Sequence, residues 1–374
     1  MSQRASVMTG PGEPLEVRDF DDPELGPGET WLEIEASEVC GTDVHLHHGR
    51  LAGVPYPIIP GHVSVGRIRE TRGRRADATG RPLVEGDAVT FFDVVGTCHR
   101  CFYCTTAGQS NLCPHRRVYG ITFPASDGLL GGWATSMRLT ADTSIFRLPE
   151  GLETADVIGG GCGLFTGFGA VERTDLEPGD TVVVKGSGPV GLAAAAFARL
   201  RGCGPLVVIG DPQARLDLAV SMGADVTLSV SGAGAAERAA AVADLTEGRG
   251  ADVVIEASGN PAAIPEGFAL LRDGGTYVVA GHYTDAGPVP INPHLDINRK
   301  HAIVKGRWGT ELPHVARALD LLARHRLPFA RVIGGEYGLD ETGQALSDVE
   351  RLAVTKAIIV PARDGTSRTQ APDR

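Results

Sequence analysis

The chain has 374 residues, the length of two ordinary domains. Its 35 Lys and Arg stand against 46 Asp and Glu, a formal charge of −11, and that acidic balance argues against a nucleic-acid partner, whose phosphates need a basic face. With 42% hydrophobic and 22% charged residues, the composition excludes a wholly disordered chain.

No apolar run approaches the ~20 residues of a bilayer-spanning helix, and the opening MSQRASVMTGPGEP has no signal-peptide core. These features predict a cytoplasmic protein with no membrane partner. In a reducing compartment the cysteines at 40, 98, 101, 104, 113, 162 and 203 read as metal ligands or free thiols.

The first 160 residues are rich in Gly and Pro. Short strand-like runs such as Thr30–Ala36 and Ala88–Phe92 are broken by Pro11-Gly12, Gly26-Pro27-Gly28 and Glu85-Gly86-Asp87, which predicts an irregular, mainly β domain. From about residue 164, β-branched runs (Thr181–Lys185, Leu206–Ile209, Ala251–Glu256, Thr276–Ala280) alternate with helical patterns at Pro189–Arg201, Ala214–Met222 and Gly232–Ala243. Fully apolar strands alternating with helices predict a parallel sheet covered on both faces. After about residue 305 the texture is mixed again, with a helix over Pro313–Arg326, a strand over Lys356–Val360, and a polar tail ARDGTSRTQAPDR expected to fray.

Thr181–Lys185 runs into Gly186-Ser187-Gly188-Pro189-Val190-Gly191, a G-x-G-x-x-G placed between a strand and an Ala-rich helix. The first glycine permits the turn, the second lets a pyrophosphate approach the backbone, and the third lets helix pack on strand. Asp211, about 20 residues on, is positioned to accept from an adenosine ribose diol and repel a 2′-phosphate, which favours NAD. Because Gly210 precedes it, Asp211 lies one residue beyond the strand run, and Arg215 nearby is an alternative partner for a phosphate; NADP therefore stays open.

Cys98, Cys101, Cys104 and Cys113 form C-x2-C-x2-C-x8-C, a spacing that predicts a closed tetrahedral zinc site of structural type. Cys40, His62 and Cys162 are dispersed. Two thiolates and an imidazole would leave a fourth zinc position open, but singly each has an ordinary reading: a small buried hydrophobe, a core histidine, a turn residue. Cys203 reads as a structural thiol.

Taken together and in order, Cys40-Gly41-Thr42-Asp43-x-His45, Gly61-His62-x-x-x-Gly66, the four-cysteine run, Gly161-Cys162-Gly163-x-x-Thr166-Gly167, the Gly186–Gly191 loop and Glu256-Ala257-Ser258-Gly259 resemble the zinc-dependent medium-chain dehydrogenase/reductase family, the alcohol dehydrogenase superfamily, over almost the whole chain. The resemblance implies an α/β fold: a GroES-like, mainly β catalytic domain at 1–163 with a structural-zinc lobe at 96–116, a Rossmann domain with a doubly wound parallel sheet at 164–305, and a return to the catalytic domain at 306–374. It implies two zinc ions per chain, one held by Cys40, His62 and Cys162, the other by the four-cysteine lobe. Thr42 matches the hydroxyl that touches the substrate oxygen, His45 the outer end of a proton relay through the nicotinamide ribose, Asp43 the carboxylate orienting the histidine ligand, and Thr166 a residue beside the nicotinamide. It also implies a small-molecule alcohol or carbonyl substrate and a homo-oligomer, dimer or tetramer.

Two features depart from the family pattern. The usual Gly-His-Glu reads Gly61-His62-Val63, which removes a carboxylate able to approach the zinc, and eight residues rather than seven precede the last lobe cysteine. The implied reaction is zinc-assisted hydride transfer between a nicotinamide and an alcohol, of secondary, polyol or cyclitol-like type. Two alternatives are a zinc-independent quinone or enone reductase of the same superfamily and a non-catalytic nucleotide sensor. For the substrate pocket, His47, His48, Phe92, Asp93 and Val94 lie in candidate segments, with surface turns or core packing as equal explanations.

Overall fold

The computed structural model describes residues 3–363 and the backbone of 368–369. The chain divides into two compact units, Met1–Gly161 with Glu311–Arg374, and Cys162–Thr310.

In the first unit the chain runs β1 (Gln3–Met8), β2 (Leu15–Phe20), β3 (Thr30–Val39), α1 (Gly41–His47), β4 (Ser64–Thr71), β5 (Ala88–Phe91), β6 (Val94–Val95), α2 (Phe102–Thr105), β7 (Arg117–Val118), β8 (Ser136–Leu139), β9 (Ile145–Arg147) and the first half of α3 (Thr154–Glu172). The central strand β3 is long because it serves three neighbours: its first residues pair antiparallel with β8, almost its whole length with β4, and its last three residues with a strand from near the C-terminus. Its end, Ala36–Val39, is buried on both faces, so the usual inside–outside alternation is lost where the chain enters α1. Two apolar clusters flank the sheet, one around Trp133, Leu46 and Tyr337, the other around Phe91, Tyr119 and Met137.

The second unit begins in the second half of α3. It continues β10 (Val182–Lys185), α4 (Pro189–Leu200), β11 (Leu206–Gly210), α5 (Gln213–Ser221), β12 (Val226–Ser229), α6 (Ala235–Leu245), β13 (Ala251–Glu256), α7 (Ala263–Leu270), β14 (Leu271–Val279) and β15 (Ile303–Gly306). The six strands lie in the order β12-β11-β10-β13-β14-β15 and every pair is parallel. That is the doubly wound order, in which the crevice for a ligand opens beyond the strand ends on either side of the first strand, here β10.

The chain then returns to the first unit through α8 (Leu312–His325), β16 (Ile333–Tyr337), α9 (Thr342–Glu350), β17 (Lys356–Ile359) and β18 (Arg368–Thr369). Helix α8 buries Val315, Ala318, Leu319 and Leu322, one apolar stripe at helical spacing. Strand β17 closes the sheet against β3, giving the order β18-β16-β17-β3-β4-β5-β9. Of the polar tail, only β18 and residues 362–363 fall within the described residues; the expected fraying of the remainder lies outside them.

Helix α3 differs from expectation. Cys162, for which a turn is the ordinary reading, lies in a helix: the chain is helical on both sides of one non-helical residue, Gly161, at φ 52° and ψ −142°. Close packing explains the glycines that follow. A Cβ at Gly163 would stand 2.7 Å from Pro189 Cβ at the start of α4, and one at Gly167 would stand 2.6 Å from Ala193 Cβ. Helix propensity, which disfavours glycine by about 1 kcal/mol, yields here to the approach of α3 to α4.

Candidate active site

Two of the three candidate metal ligands, Cys40 and His62, are placed where β3 ends and just before β4 begins, in the first unit. Where β3 ends, Cys40 adopts an extended backbone and caps α1: its Sγ accepts from the Thr42 amide at 3.2 Å, while Asp43 Oδ2 accepts from the Cys40 amide at 2.8 Å. This is a capping box with a thiol in the place usually taken by Ser or Thr. His62 sits just before β4, fixed by Gly61 at φ 91°, where a side chain would collide with Ser37 and Trp133. Cys162 follows the Gly161 kink in α3.

The ligand atoms of Cys40, His62 and Cys162 lie within 4.8 Å of one another, and a fourth group joins them, Glu38. His62 Nε2 is 3.7 Å from Cys40 Sγ and 3.4 Å from Glu38 Oε1. Donors bound at 2.0–2.3 Å to one tetrahedral zinc stand about 3.3–3.8 Å apart, so these spacings fit a shared ion. Two further observations fit a cation. His62 Nδ1 and Asp43 Oδ1, 3.9 Å apart and buried, have no hydrogen-bond partner, the arrangement of a ligand histidine held by a carboxylate behind it. The groups gathered here are also mostly anionic when ionised. Burial and then the Cys40 thiol push the Asp43 carboxyl up to about 8. Burial alone would pull His62 down, but the Cys40 thiol, Glu38 and Asp43 together raise it well above its ordinary value.

Glu38 and its partner were not found from sequence. The Glu38 side chain is fully buried, and its Oε2 takes an ion pair from Lys356 Nζ, itself 1% exposed, at the start of β17. The Glu38 backbone is fixed on both sides, its amide donating to the Val63 carbonyl at 3.1 Å and its carbonyl accepting from Trp133 Nε1 at 2.9 Å. The available signal was a charged residue inside each of two apolar strands, SEV and KAII, because buried charges are rare unless paired or bound to metal.

Thr42 is 8% exposed beside Cys40. His45 lies on α1 with Arg50 Nη1 at 3.5 Å from its Nδ1; burial, then Arg50, hold its imidazole below the ordinary value. Of the pocket candidates, His47 meets the Glu13 carbonyl and His48 the Glu350 carboxylate, both at the surface, while Phe92 is buried. Asp93 senses the charges of His62, Glu38 and Cys40, and burial pushes its carboxyl up to about 6. Val94 packs on the cluster around Trp133.

Cys98, Cys101, Cys104 and Cys113 also bring their sulfurs within 4.8 Å of one another, with Cys101 and Cys104 3.5 Å apart and Cys98 and Cys113 3.7 Å apart. All four donors are thiols and the set is complete, so the extra residue before Cys113 is absorbed without loss of a donor. Cys203 is a buried free thiol in the second unit.

In that second unit the loop after β10 carries out the three glycine roles separately. Gly186 has φ 122° and packs against Ala257 and Ser258; a Cβ at Gly188 would meet nothing within 4 Å, leaving the backbone open to a ligand; a Cβ at Gly191 would strike the Gly186 carbonyl. Pro189 opens α4 at its first turn and Val190 follows it. Glu256 is buried and its Oε1 accepts from the Ser258 and Gly259 amides, which holds the neighbouring loop. Asp211 has its carboxylate engaged: Oδ1 accepts from Ser229 Oγ at 2.7 Å and Oδ2 from the Ser231 amide at 2.8 Å. Arg215 is 9% exposed, and Thr166 Oγ1 is 3.5 Å from Thr310 Oγ1.

Residues 26–150 match the model of the alcohol dehydrogenase GroES-like domain, and residues 189–324 that of zinc-binding dehydrogenases. The chain is 33% identical over 367 residues to a 5-exo-hydroxycamphor dehydrogenase of Pseudomonas putida, covering 95% of this chain and 98% of that one. It is 31% identical over 379 residues to an erythritol/L-threitol dehydrogenase of Mycolicibacterium smegmatis, covering 96% and 98%. Its structure superposes on that of a zinc-binding dehydrogenase of Sinorhizobium meliloti 1021 bound to NADP with a TM-score of 0.84 at 28% identity, covering 96% of this chain and all of that one. Among the described residues no helix is long and apolar enough to cross a membrane. With a GroES-like unit, a doubly wound parallel sheet and relatives that oxidise or reduce alcohols and polyols, the chain belongs to the zinc-type medium-chain dehydrogenase/reductase family, the alcohol dehydrogenase superfamily.

Proposed function

We propose that this protein is a zinc-dependent alcohol dehydrogenase that acts on a secondary alcohol or polyol and prefers NAD. The observation that carries the reading is the convergence of Cys40, His62 and Cys162 at one point, with buried Thr42 two residues past Cys40. Cys40, His62 and Cys162 would hold the zinc; when bound, the metal supplies Lewis-acid polarisation of an alcohol oxygen and the nicotinamide supplies the hydride acceptor.

The chain's own groups do the rest. Thr42 would accept the hydroxyl proton while releasing its own toward the cofactor ribose, and the relay would end at His45, whose imidazole, held below its ordinary value first by burial and then by Arg50, takes up that proton and passes it to water. Asp43 keeps His62 turned so that Nε2 faces the donors. Asp93, near enough to His62, Glu38 and Cys40 to sense their charges, is the candidate to hydrogen-bond a second hydroxyl of a diol. The amides after Gly186 and the open backbone at Gly188 receive the pyrophosphate, and the Asp211 charge disfavours a 2′-phosphate.

The test is cofactor reduction over a panel of secondary alcohols, diols and polyols with NAD and NADP, on the parent, Cys40→Ala and Asp211→Ala. Turnover in the parent that is lost in Cys40→Ala supports the reading; equal turnover in the two sinks it. A parent that prefers NADP, or an unchanged cofactor ratio in Asp211→Ala, removes Asp211 as the discriminator.

A further inference from the structure

Family sequences place a glutamate directly after the histidine ligand, and this chain has Val63 there. In the ladder between β3 and β4, Ser37 pairs with Ser64, so the residue opposite Val63 is Glu38, whose amide bonds to the Val63 carbonyl. The carboxylate missing from one strand is therefore present on its neighbour. Its two oxygens have different partners: Oε1 stands 3.4 Å from His62 Nε2, at the edge length of a zinc tetrahedron, and Oε2 is paired with Lys356.

The surroundings hold this arrangement. Both side chains are buried, so neither charge has water to fall back on. A Cβ at Gly161 would stand 2.7 Å from Glu38 Cδ and 2.7 Å from Lys356 Nζ, so the kink that precedes Cys162 makes the space the pair occupies.

We infer that Glu38 is a fourth protein donor of the Cys40/His62/Cys162 metal site, and that Lys356 is the positioning residue that holds its second oxygen and keeps the donor displaceable. This rests on the metal-site reading above. A site with four fixed protein donors is closed, whereas catalysis needs an open position. Sharing the carboxylate with Lys356 would resolve the conflict: the ammonium draws charge from the group, would weaken its hold on a cation, and would hold the carboxylate when it gives up that position. No bond to carbon or hydrogen is made or broken in this exchange, and Lys356 keeps its proton throughout.

The experiment uses cobalt(II) as the probe. Full-length protein is stripped of metal and titrated with cobalt, with binding followed through the visible ligand-field bands, in the parent, Glu38→Gln and the double variant Glu38→Gln with Lys356→Met. The double variant leaves no unpaired buried charge and decides the matter if Glu38→Gln alone does not fold. We expect both variants to bind cobalt at the Cys40 site about 10- to 100-fold more weakly, with shifted bands, while the four-cysteine site fills as in the parent. A folded variant that binds within threefold of the parent with the parent's spectrum overturns the assignment. A parent that binds cobalt only at the four-cysteine site would instead sink the metal-site reading on which the inference rests. Alcohol KM supplies a second readout: Lys356→Met should raise it while cobalt affinity is kept or increased, because a carboxylate without its ammonium is harder to displace, and an unchanged KM removes Lys356 from the exchange.

Discussion

Replacing Gly161 with alanine tests how tightly the metal site is built. The residue lies at φ 52° and ψ −142°, a combination that only glycine adopts readily, so a Cβ costs about 1–3 kcal/mol of backbone strain. The same Cβ also enters space held by Glu38 and Lys356, with 2.7 Å to Glu38 Cδ and to Lys356 Nζ. Overfilling a packed interior costs about another 1–3 kcal/mol, and here the obstacle is an ion pair that cannot move into water. The combined loss is about 2–6 kcal/mol. For a domain of 150–250 residues that lowers Tm by about 4–24 °C. The assay is a calorimetric scan with metal analysis on the same samples. Gly161→Ala should melt lower and lose metal at the Cys40 site while keeping it in the four-cysteine lobe, whose sulfurs belong to a separate stretch of chain. A melting point within 2 °C of the parent, with metal content unchanged, would refute the reasoning.

The parent should contain two zinc ions per chain by elemental analysis, falling to about one in Cys40→Ala and, separately, in Cys101→Ala; one ion lost only in Cys101→Ala would remove the catalytic site. Thr42→Val, which keeps the shape and removes the hydroxyl, should lower kcat by about 100- to 10,000-fold with cofactor affinity measured by fluorescence unchanged, and a twofold effect would take Thr42 out of proton transfer. Because His45 is held below its ordinary value, it acts as a base above its lowered pKa and loses that capacity as pH falls through it; the acid limb of kcat in alcohol oxidation should therefore disappear in His45→Gln. In the second unit, Glu266 holds Lys185 at 2.7 Å and Arg238 at 2.8 Å, all three largely buried, so Glu266→Ala should lower stability by about 3–5 kcal/mol in urea unfolding, and a loss under 1 kcal/mol would show the cations to be hydrated. Burial would raise the Glu266 carboxyl, but the Arg238 and Lys185 contacts outweigh it and hold it low, so this stability is present above the ordinary glutamate value of ~4.3 and is lost as pH falls.

What the sequence discloses is what local chemistry determines. Ala251–Glu256 is a strand with those bounds, and α4 begins at Pro189 as the glycine loop and proline require. The four-cysteine cluster is equally local, since sixteen residues carry all its donors. Glycine hides its reason where that reason is remote: the contacts of Gly163 and Gly167 with α4 cannot be read from the glycine-rich run itself. Strand β14 begins at Leu271 rather than at Thr276 because Leu271 pairs with Ala251 across an irregular register. Glu38 is the strongest case. Val63 reads as a missing carboxylate, and only the pairing of Ser37 with Ser64 shows that the group stands on the facing strand.

The ion pair between Glu38 and Lys356 joins residues 318 positions apart. During synthesis Glu38, Cys40, His62 and Cys162 all leave the ribosome long before Lys356, because the whole second unit is encoded between them. At 5–20 residues per second, making the chain from Cys162 to Lys356 takes about 10–40 s, during which the buried carboxylate has no ammonium and β3 has no β17 along its last three residues. The nascent chain thus presents an open sheet edge and a cluster of anionic donors well before its own sequence can cover them. Occupation by a metal ion, or shielding by a chaperone, during that interval would protect the edge, and zinc supply would then limit the yield of folded protein as well as its activity.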